Sequence, residues 1–330
     1  MNFTKNQVDE LNIELTLNIE PADYEQSEKK KLADVRRRAD FKGFRKGNVP
    51  MSLVQKVYGE QVLLDTINEQ INEGLQKFIN DEKLRVAGEP LSSEKQPEVE
   101  WKSGNSFTFV FDIATLPEVN VEVEATDEIL NYTITATAKD KEAMTENLKK
   151  YYEGKKEEKT DEEIEKEVTD QLKENYKAEA DWRLTKDIRD FYVNKANVVL
   201  PEAFLKRWLL KANEGNVTAE QVEEEFPRFI EDTKWQLVRN AILKKYEITV
   251  TEEDVKAFAL NYVKNQYVMY GIKDLPDNIA EDAAKNMLED RKQLDAMYEA
   301  VEDSKAFDKV KATAILKAKK ISSEKYRELK

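Results

Sequence analysis

The sequence predicts an α+β N-terminal domain followed by an all-α C-terminal domain with long helical arms, an elongated, multidomain chain. Three observations predict it. The segment from Leu11 to Ile19 alternates apolar and polar side chains with period two, the pattern of a half-buried strand. From Thr160 onward only Gly215 and Gly271 interrupt the chain, and prolines fall only at 201, 227 and 276, so long helices cost little in propensity. Helix-start signals recur in that same region. Thr160 with Glu163, and Thr218 with Gln221, have the spacing of a capping box.

In order along the chain, Leu11, Ile13, Leu15, Leu17 and Ile19 point one way, while Asn12, Glu14, Thr16 and Asn18 point the other. Pro21 suits the first turn of a helix, with Asp23 and Glu25 near its positive dipole end. That helix runs to about Ala39, with Leu32 and Val35 inside and a basic outer face. Asp40-Phe41-Lys42-Gly43-Phe44-Arg45-Lys46-Gly47-Asn48-Val49-Pro50 is a loop punctuated by two glycines and closed by a proline. From Leu63 an apolar stripe continues through Ile67, Ile71, Leu75 and Phe78, one face of a helix. Gly74 within it costs about 1 kcal/mol against Ala and marks close packing. Two strands flank the turn Lys102-Ser103-Gly104-Asn105: Val99 and Trp101 lead in, and Phe107, Phe109, Phe111 and Ile113 lead out. Residues 1–116 thus read as one α+β domain.

Pro117 opens a connector over 117–159. It holds a short strand, with Leu130, Tyr132 and Ile134 on one face, then a charged helix through Tyr151 and Tyr152, then the run Lys155-Lys156-Glu157-Glu158-Lys159. Residues 160–330 read as an all-helical domain of six to eight helices. Pro201 begins one that bears Phe204, Leu205, Trp208 and Leu209. Another has acidic residues Glu252, Glu253 and Asp254 in its first turn and a stripe of Val255, Phe258, Ala259, Tyr262, Val263 and Tyr267. The last long helix carries Phe307, Val310, Ala314 and Ile315.

Composition excludes several classes of chemistry. The chain has neither cysteine nor histidine, so disulfides, thiolate nucleophiles, zinc knuckles and histidine general bases are unavailable. No phosphate-binding glycine loop or dinucleotide fingerprint occurs, so no nucleotide cofactor is expected. A net charge of −14 over 330 residues resists unspecific attachment to DNA or an anionic membrane. Any contact with RNA must come from a local basic island. The N-terminus lacks an apolar signal region and no run of ~18 apolar residues occurs. The expectation is a cytoplasmic protein without metal or cofactor.

Such an island exists. Nine basic residues lie between Lys29 and Lys46, among them Arg36, Arg37, Arg38, Lys42, Arg45 and Lys46, against the two acids Asp34 and Asp40. On charge alone, a solvated helix face followed by a glycine loop explains them. Phe44 beside Arg45, however, pairs an apolar anchor with a strong donor. Gly43 and Gly47 permit sharp turns and close approach.

Gly43-Phe44-Arg45-Lys46-Gly47-Asn48-Val49-Pro50, preceded by the basic helix and followed by Val54, Tyr58 and Gly59, resembles the ribosome-docking signature of the trigger factor family. Every fixed position of Gly-Phe-Arg-x-Gly-x-x-Pro is matched, and a strand pair containing Gly88-x-Pro90 follows in order. The resemblance implies an ATP-independent chaperone that docks at the ribosomal polypeptide exit and shields apolar segments of nascent chains. Its partners would be a large-subunit protein with adjacent rRNA, and unfolded polypeptides; a homodimer away from the ribosome is compatible with it. Phe44, Arg45 and Lys46 would make the contact, Gly43, Gly47 and Pro50 would shape the loop, and Arg36, Arg37, Arg38 and Lys42 would support it.

The family ordinarily carries an FKBP-like prolyl-isomerase domain after the N-terminal domain. Here the connector is too short and too charged to build one, so no enzymatic activity is expected. Alternatives are an isomerase by family membership, a helical protein-binding scaffold, and a periplasmic chaperone of the SurA kind. Val268, Met269 and Tyr270 beside Gly271, and Trp208, lie off the main stripes as candidates for client contact. Packing in helix–helix cores is the commoner role of such side chains, and no client residue is assigned.

Overall fold

The computed structural model describes residues 1–155, 158–272 and 274–329. It divides into two units: 1–118 with 199–231, and 119–198 with 232–330. Each is described by itself.

The first unit is built on a four-stranded antiparallel sheet in the order β1-β2-β4-β3. Its strands are β1 (Asn2–Gln7), β2 (Asn12–Ile19), β3 (Leu91–Ser92) and β4 (Phe107–Ala114). The period-two reading of β2 holds: Ile13, Leu15, Leu17 and Ile19 are buried. Helix α1 (Pro21–Arg38) begins with Pro21 at N1 and a reciprocal cap between Glu20 and Asp23. Helix α2 (Met51–Asp81) has 31 residues, a rod of roughly 46 Å at 1.5 Å per residue.

The two ends of α2 bury different things. Leu63, Ile67, Ile71, Leu75 and Phe78 pack on the sheet with Tyr24, Leu15, Leu17 and Phe107. Val54 and Val62 instead pack with Leu32 and Val49 in a separate small core between α1 and α2. Gly74 does mark close packing, since a Cβ there would lie 2.8 Å from Met1 Sδ.

The strand expected at Val99 and Trp101 does not form. Both pack on the sheet core as irregular chain. Gln96 takes a strand's place beside β4, its side chain accepting from the Val110 N–H at 2.7 Å and donating to the Thr108 carbonyl at 3.0 Å. Pro97 next to it has no N–H to give. The unit also contains 199–231, which the expected boundary at 116 left out. Helix α5 (Glu202–Ala212) lays Trp208 on Gly88, where an added Cβ would sit 2.7 Å from the indole. Arg207 reaches Asp112 of β4 at 2.9 Å.

The second unit corrects the connector. Strand β5 (Glu128–Thr135) pairs in parallel with β6 (Ile315–Ser322), and α3 (Ala138–Lys155) packs on α4 (Asp161–Ala196). Tyr132, Ile134 and Leu148 are buried with Ile164, Val168 and Tyr176 in one core. The segment over 119–155 is therefore part of this unit's fold. Of the charged run at 155–159, Lys156 and Glu157 lie outside the described residues.

The remaining helices are α6 (Ala219–Lys245), in which the division between the units falls, then α7 (Glu252–Met269), α8 (Asp277–Glu289), α9 (Arg291–Thr313) and the short α10 (Ser323–Arg327). The C-terminal region is mostly helical, and among its described residues β6 is the one strand. The last long helix stops at Thr313, so Ile315, expected within it, opens a strand. Both capping boxes read from sequence form, at Thr160 and at Thr218. Among the described residues no helix is long and apolar enough to cross a membrane.

Candidate functional site

The loop between α1 and α2 is two consecutive tight turns. The Phe44 N–H donates to the Phe41 carbonyl at 3.0 Å, and the Asn48 N–H to the Arg45 carbonyl at 2.9 Å. Each turn has a glycine at its third position: Gly43 with φ +92° and Gly47 with φ +83°. Lys42 and Lys46, at the second positions, keep negative φ, which makes both turns type II. Nothing lies within 4 Å of a Cβ at either glycine. The backbone conformation alone demands them.

The base of the loop is anchored from inside. Val49 is wholly buried and shares its small core with Val54. Pro50 caps α2, so these two stand at N′ and N4 and form a hydrophobic staple. Phe41 meets the Tyr58 ring edge-on at 6.0 Å. Arg36 Nε donates to the Val49 carbonyl at 2.7 Å. With the base fixed, the tip is left outside: Phe44 is 42% exposed, and Arg45, Lys46 and Lys42 are exposed with it.

The structure sorts the predicted basic residues. Arg36 is committed to the Val49 carbonyl and Arg37 is paired with Asp34. Lys29 pairs with Glu25 and Lys31 with Glu69. Among the described residues Arg38, Lys42, Arg45 and Lys46 have no ion-pair partner, so their charge faces solvent. Phe41, Val49 and the Arg36 tie were missed as loop anchors. An apolar residue just before Pro50 was the available signal.

A second surface lies on the α7–α8 hairpin. Its interface uses small side chains, Ala259, Val263, Ala280 and Ala284, which lets the helices approach closely. Helix α7 ends in a Schellman motif: the Ile272 N–H donates to the Tyr267 carbonyl and the Gly271 N–H to the Val268 carbonyl, both at 2.9 Å, with Gly271 at φ +85°. That turn leaves Met269 86% and Tyr270 83% exposed, with Val268 and Ile272 beside them. Along the hairpin a groove of ≈ 540 Å³ has Ala257, Leu260, Ala284 and Leu288 in its lining, with Lys256, Glu281, Lys285 and Glu289 also around it.

Charged contacts hold the hairpin's ends. Lys264, 2.7 Å from Asp277 at the start of α8, keeps that carboxyl below its usual range. Lys305, together with the N–H and hydroxyl of Thr251, lowers Asp254 to about 2. Of the residues considered for client contact, Val268, Met269 and Tyr270 are on this surface. Trp208 instead packs on Gly88 in the first unit.

Comparison with known proteins gives two family spans, which cut across the two units. Residues 1–148 match the family model "Bacterial trigger factor protein (TF)", and residues 180–330 match "Probable trigger factor, C-terminal domain". The chain belongs to the trigger factor family. Trigger factor of Saccharophagus degradans is 33% identical over 136 residues, 41% of this chain and 30% of that protein. Trigger factor of Delftia acidovorans is 35% identical over 122 residues, 37% of this chain and 27% of that protein. The matched part thus spans less than a third of these curated relatives. A solved structure of the trigger factor chaperone, described for promiscuous substrate recognition in folding and assembly, aligns with a TM-score of 0.54 at 15% identity. It covers 94% of this chain and 99% of its own, a likeness of fold. Residues 149–179, between the two family spans, belong where described to the end of α3, the irregular residues 158–160 and the first half of α4.

Proposed function

We propose that this chain is a cytoplasmic, ATP-independent chaperone. It docks at the ribosomal polypeptide exit through the tip of the α1–α2 loop and holds apolar segments of nascent chains on its C-terminal helices. The observation that carries the docking half is the double type II turn, which presents Phe44, Arg45 and Lys46 outward while Val49 and Arg36 fix its base. An aromatic ring beside a guanidinium is suited to a mixed protein and RNA surface, since the ring fills an apolar depression while arginine and lysine meet phosphate or carboxylate. In a molecule of net charge −14 this tip confines attraction for RNA to one place.

The holding half rests on Met269 and Tyr270. Exposed apolar side chains on a narrow hairpin, near a groove with charges around it, suit weak binding of many extended apolar segments. Methionine adapts its shape to varied partners, and no nucleotide is needed for release. Most of the described residues in 149–179 contribute to α3 and α4, which supports a chain with no isomerase domain inserted there and no prolyl-isomerase activity. A scaffold without chaperone activity would leave aggregation of a chemically denatured client unchanged. The proposed chaperone suppresses it, measured by light scattering without ATP, and a flat response at tenfold molar excess would end this reading.

A further inference from the structure

The C-terminal strand β6 is the unpartnered edge of a two-stranded sheet. Among the described residues β5 is its one neighbour, over Glu128–Thr135. In a parallel pair, alternate residues of a strand bond to the neighbour. The Ile315 N–H bonds to the Asp127 carbonyl on the β5 side at 2.8 Å. By that alternation Leu316, Ala318 and Lys320 turn their N–H and carbonyl groups away from β5, toward the open side. The middle of the strand, from Lys317 to Lys320, is exposed. An edge of this length is a ready template for another strand.

Its side chains restrict what can add. Lys317, Lys319 and Lys320 are the charged residues of Ile315–Ser322, and no acid lies among them. Lys317 and Lys319 share one face, the first paired with Glu128 of β5 and the second set over the Tyr132 ring at 5.6 Å. Lys320 lies on the opposite face. A second copy of β6 added antiparallel would set lysines across from lysines, which is unfavourable. The same lysines favour a strand with carboxylates at alternate positions, each opposite a lysine on one face.

We propose that the open edge of β6 receives an extended acidic segment of another polypeptide by strand addition, with carboxylates two residues apart set against Lys317 and Lys319. The backbone of Leu316, Ala318 and Lys320 supplies the hydrogen bonds, and the lysines set the charge of the partner. This surface is distinct from the loop at 41–50 and from the α7–α8 hairpin, so its failure leaves the docking and holding proposals untouched.

The test uses the full chain and a fluorescein-labelled eight-residue peptide alternating Glu with Val or Thr, read by anisotropy. A second peptide carries N-methyl groups on the backbone amides of one edge, and a third on those of the other. The expected result is binding of the parent and of one methylated peptide, with loss of the other, because only one edge of the peptide meets β6. Lys317→Glu with Lys319→Glu weakens the parent by about tenfold or more. Ala318→Pro, which removes an outward N–H without touching the β5 ladder, also weakens it while the circular dichroism spectrum holds. Equal binding of all three peptides would mean plain charge attraction and overturn strand addition. No binding of the parent peptide would mean that the lysines only guard the edge. A dimer of the chain abolished by Ala318→Pro would assign the edge to a second copy, and the proposal would fall.

Discussion

Arg36 Nε donates to the backbone carbonyl of Val49 at 2.7 Å, joining the last turns of α1 to the residue that precedes the cap of α2. The bond closes the base of a twelve-residue excursion, 39–50, with a charged donor. Lysine cannot reproduce the directed Nε geometry. Arg36→Ala is expected to destabilise the first unit by about 1–2 kcal/mol and to raise amide exchange in the loop, with Arg36→Lys recovering little. Hydrogen exchange at Gly43–Asn48 that matches the parent protein would show that the tie does not hold the loop.

Gly43 and Gly47 carry a different burden. Their positive φ is strained for a residue with a Cβ, at about 1 kcal/mol or more each, yet nothing surrounds them. Gly43→Ala and Gly47→Ala should therefore move the tip without weakening the core. The urea midpoint should fall only slightly, while ribosome affinity falls several-fold. Gly43→Asn, which tolerates the left-handed region better, should lose less than Gly43→Ala. Equal losses for Asn and Ala would point away from backbone conformation as the cause.

Asp254 supplies a test in acid. Its folded pKa of about 2 lies below the ordinary aspartate value of 3.8. A depressed carboxyl stabilises the folded state fully above the unfolded value and loses that contribution as pH falls through the folded one. The start of α7 should thus loosen between about pH 4 and 2, seen as amide exchange at Thr251–Asp254. Asp254→Asn should remove that pH dependence. A carboxyl resonance for Asp254 that titrates near 4 would contradict the pairing with Lys305 and Thr251.

The hairpin tip separates holding from folding. Met269 and Tyr270 are almost wholly exposed, so Met269→Ser with Tyr270→Ser should change stability by no more than about 0.5 kcal/mol. Suppression of client aggregation should nonetheless drop by a factor of two or more. Unchanged suppression would move the client surface elsewhere.

How far the fold was legible depended on where the partner of each segment lay. The alternation of β2, the α2 stripe and the caps at Thr160 and Thr218 were readable because their signals are local. So was the loop, whose glycines announce its turns. Strand β6 was not, because Ile315-Leu316-Lys317-Ala318-Lys319-Lys320 lacks a clean alternation and its partner β5 lies far earlier in the chain. Helix α4 hid its buried face for another reason. Ile164, Val168, Leu172, Tyr176, Ala180, Leu184, Ile188 and Tyr192 recur every fourth residue, and at 100° per residue that stripe drifts roughly 40° per step. It winds around the helix and meets different neighbours along its length, so no single apolar side stands out. Gln96 standing in for a strand beside β4, and α5 resting on Gly88, are long-range contacts with no sequence period at all.

Co-sedimentation with ribosomes bears most directly on docking. Phe44→Ala, Arg45→Ala and Lys46→Ala combined remove the exposed tip and leave Val49, Arg36 and both glycines in place, so the fold should persist by circular dichroism. The parent chain should pellet with ribosomes and come off as salt rises, and the triple variant should remain in the supernatant at every salt concentration. A folded triple variant that pellets as well as the parent would contradict docking through this loop.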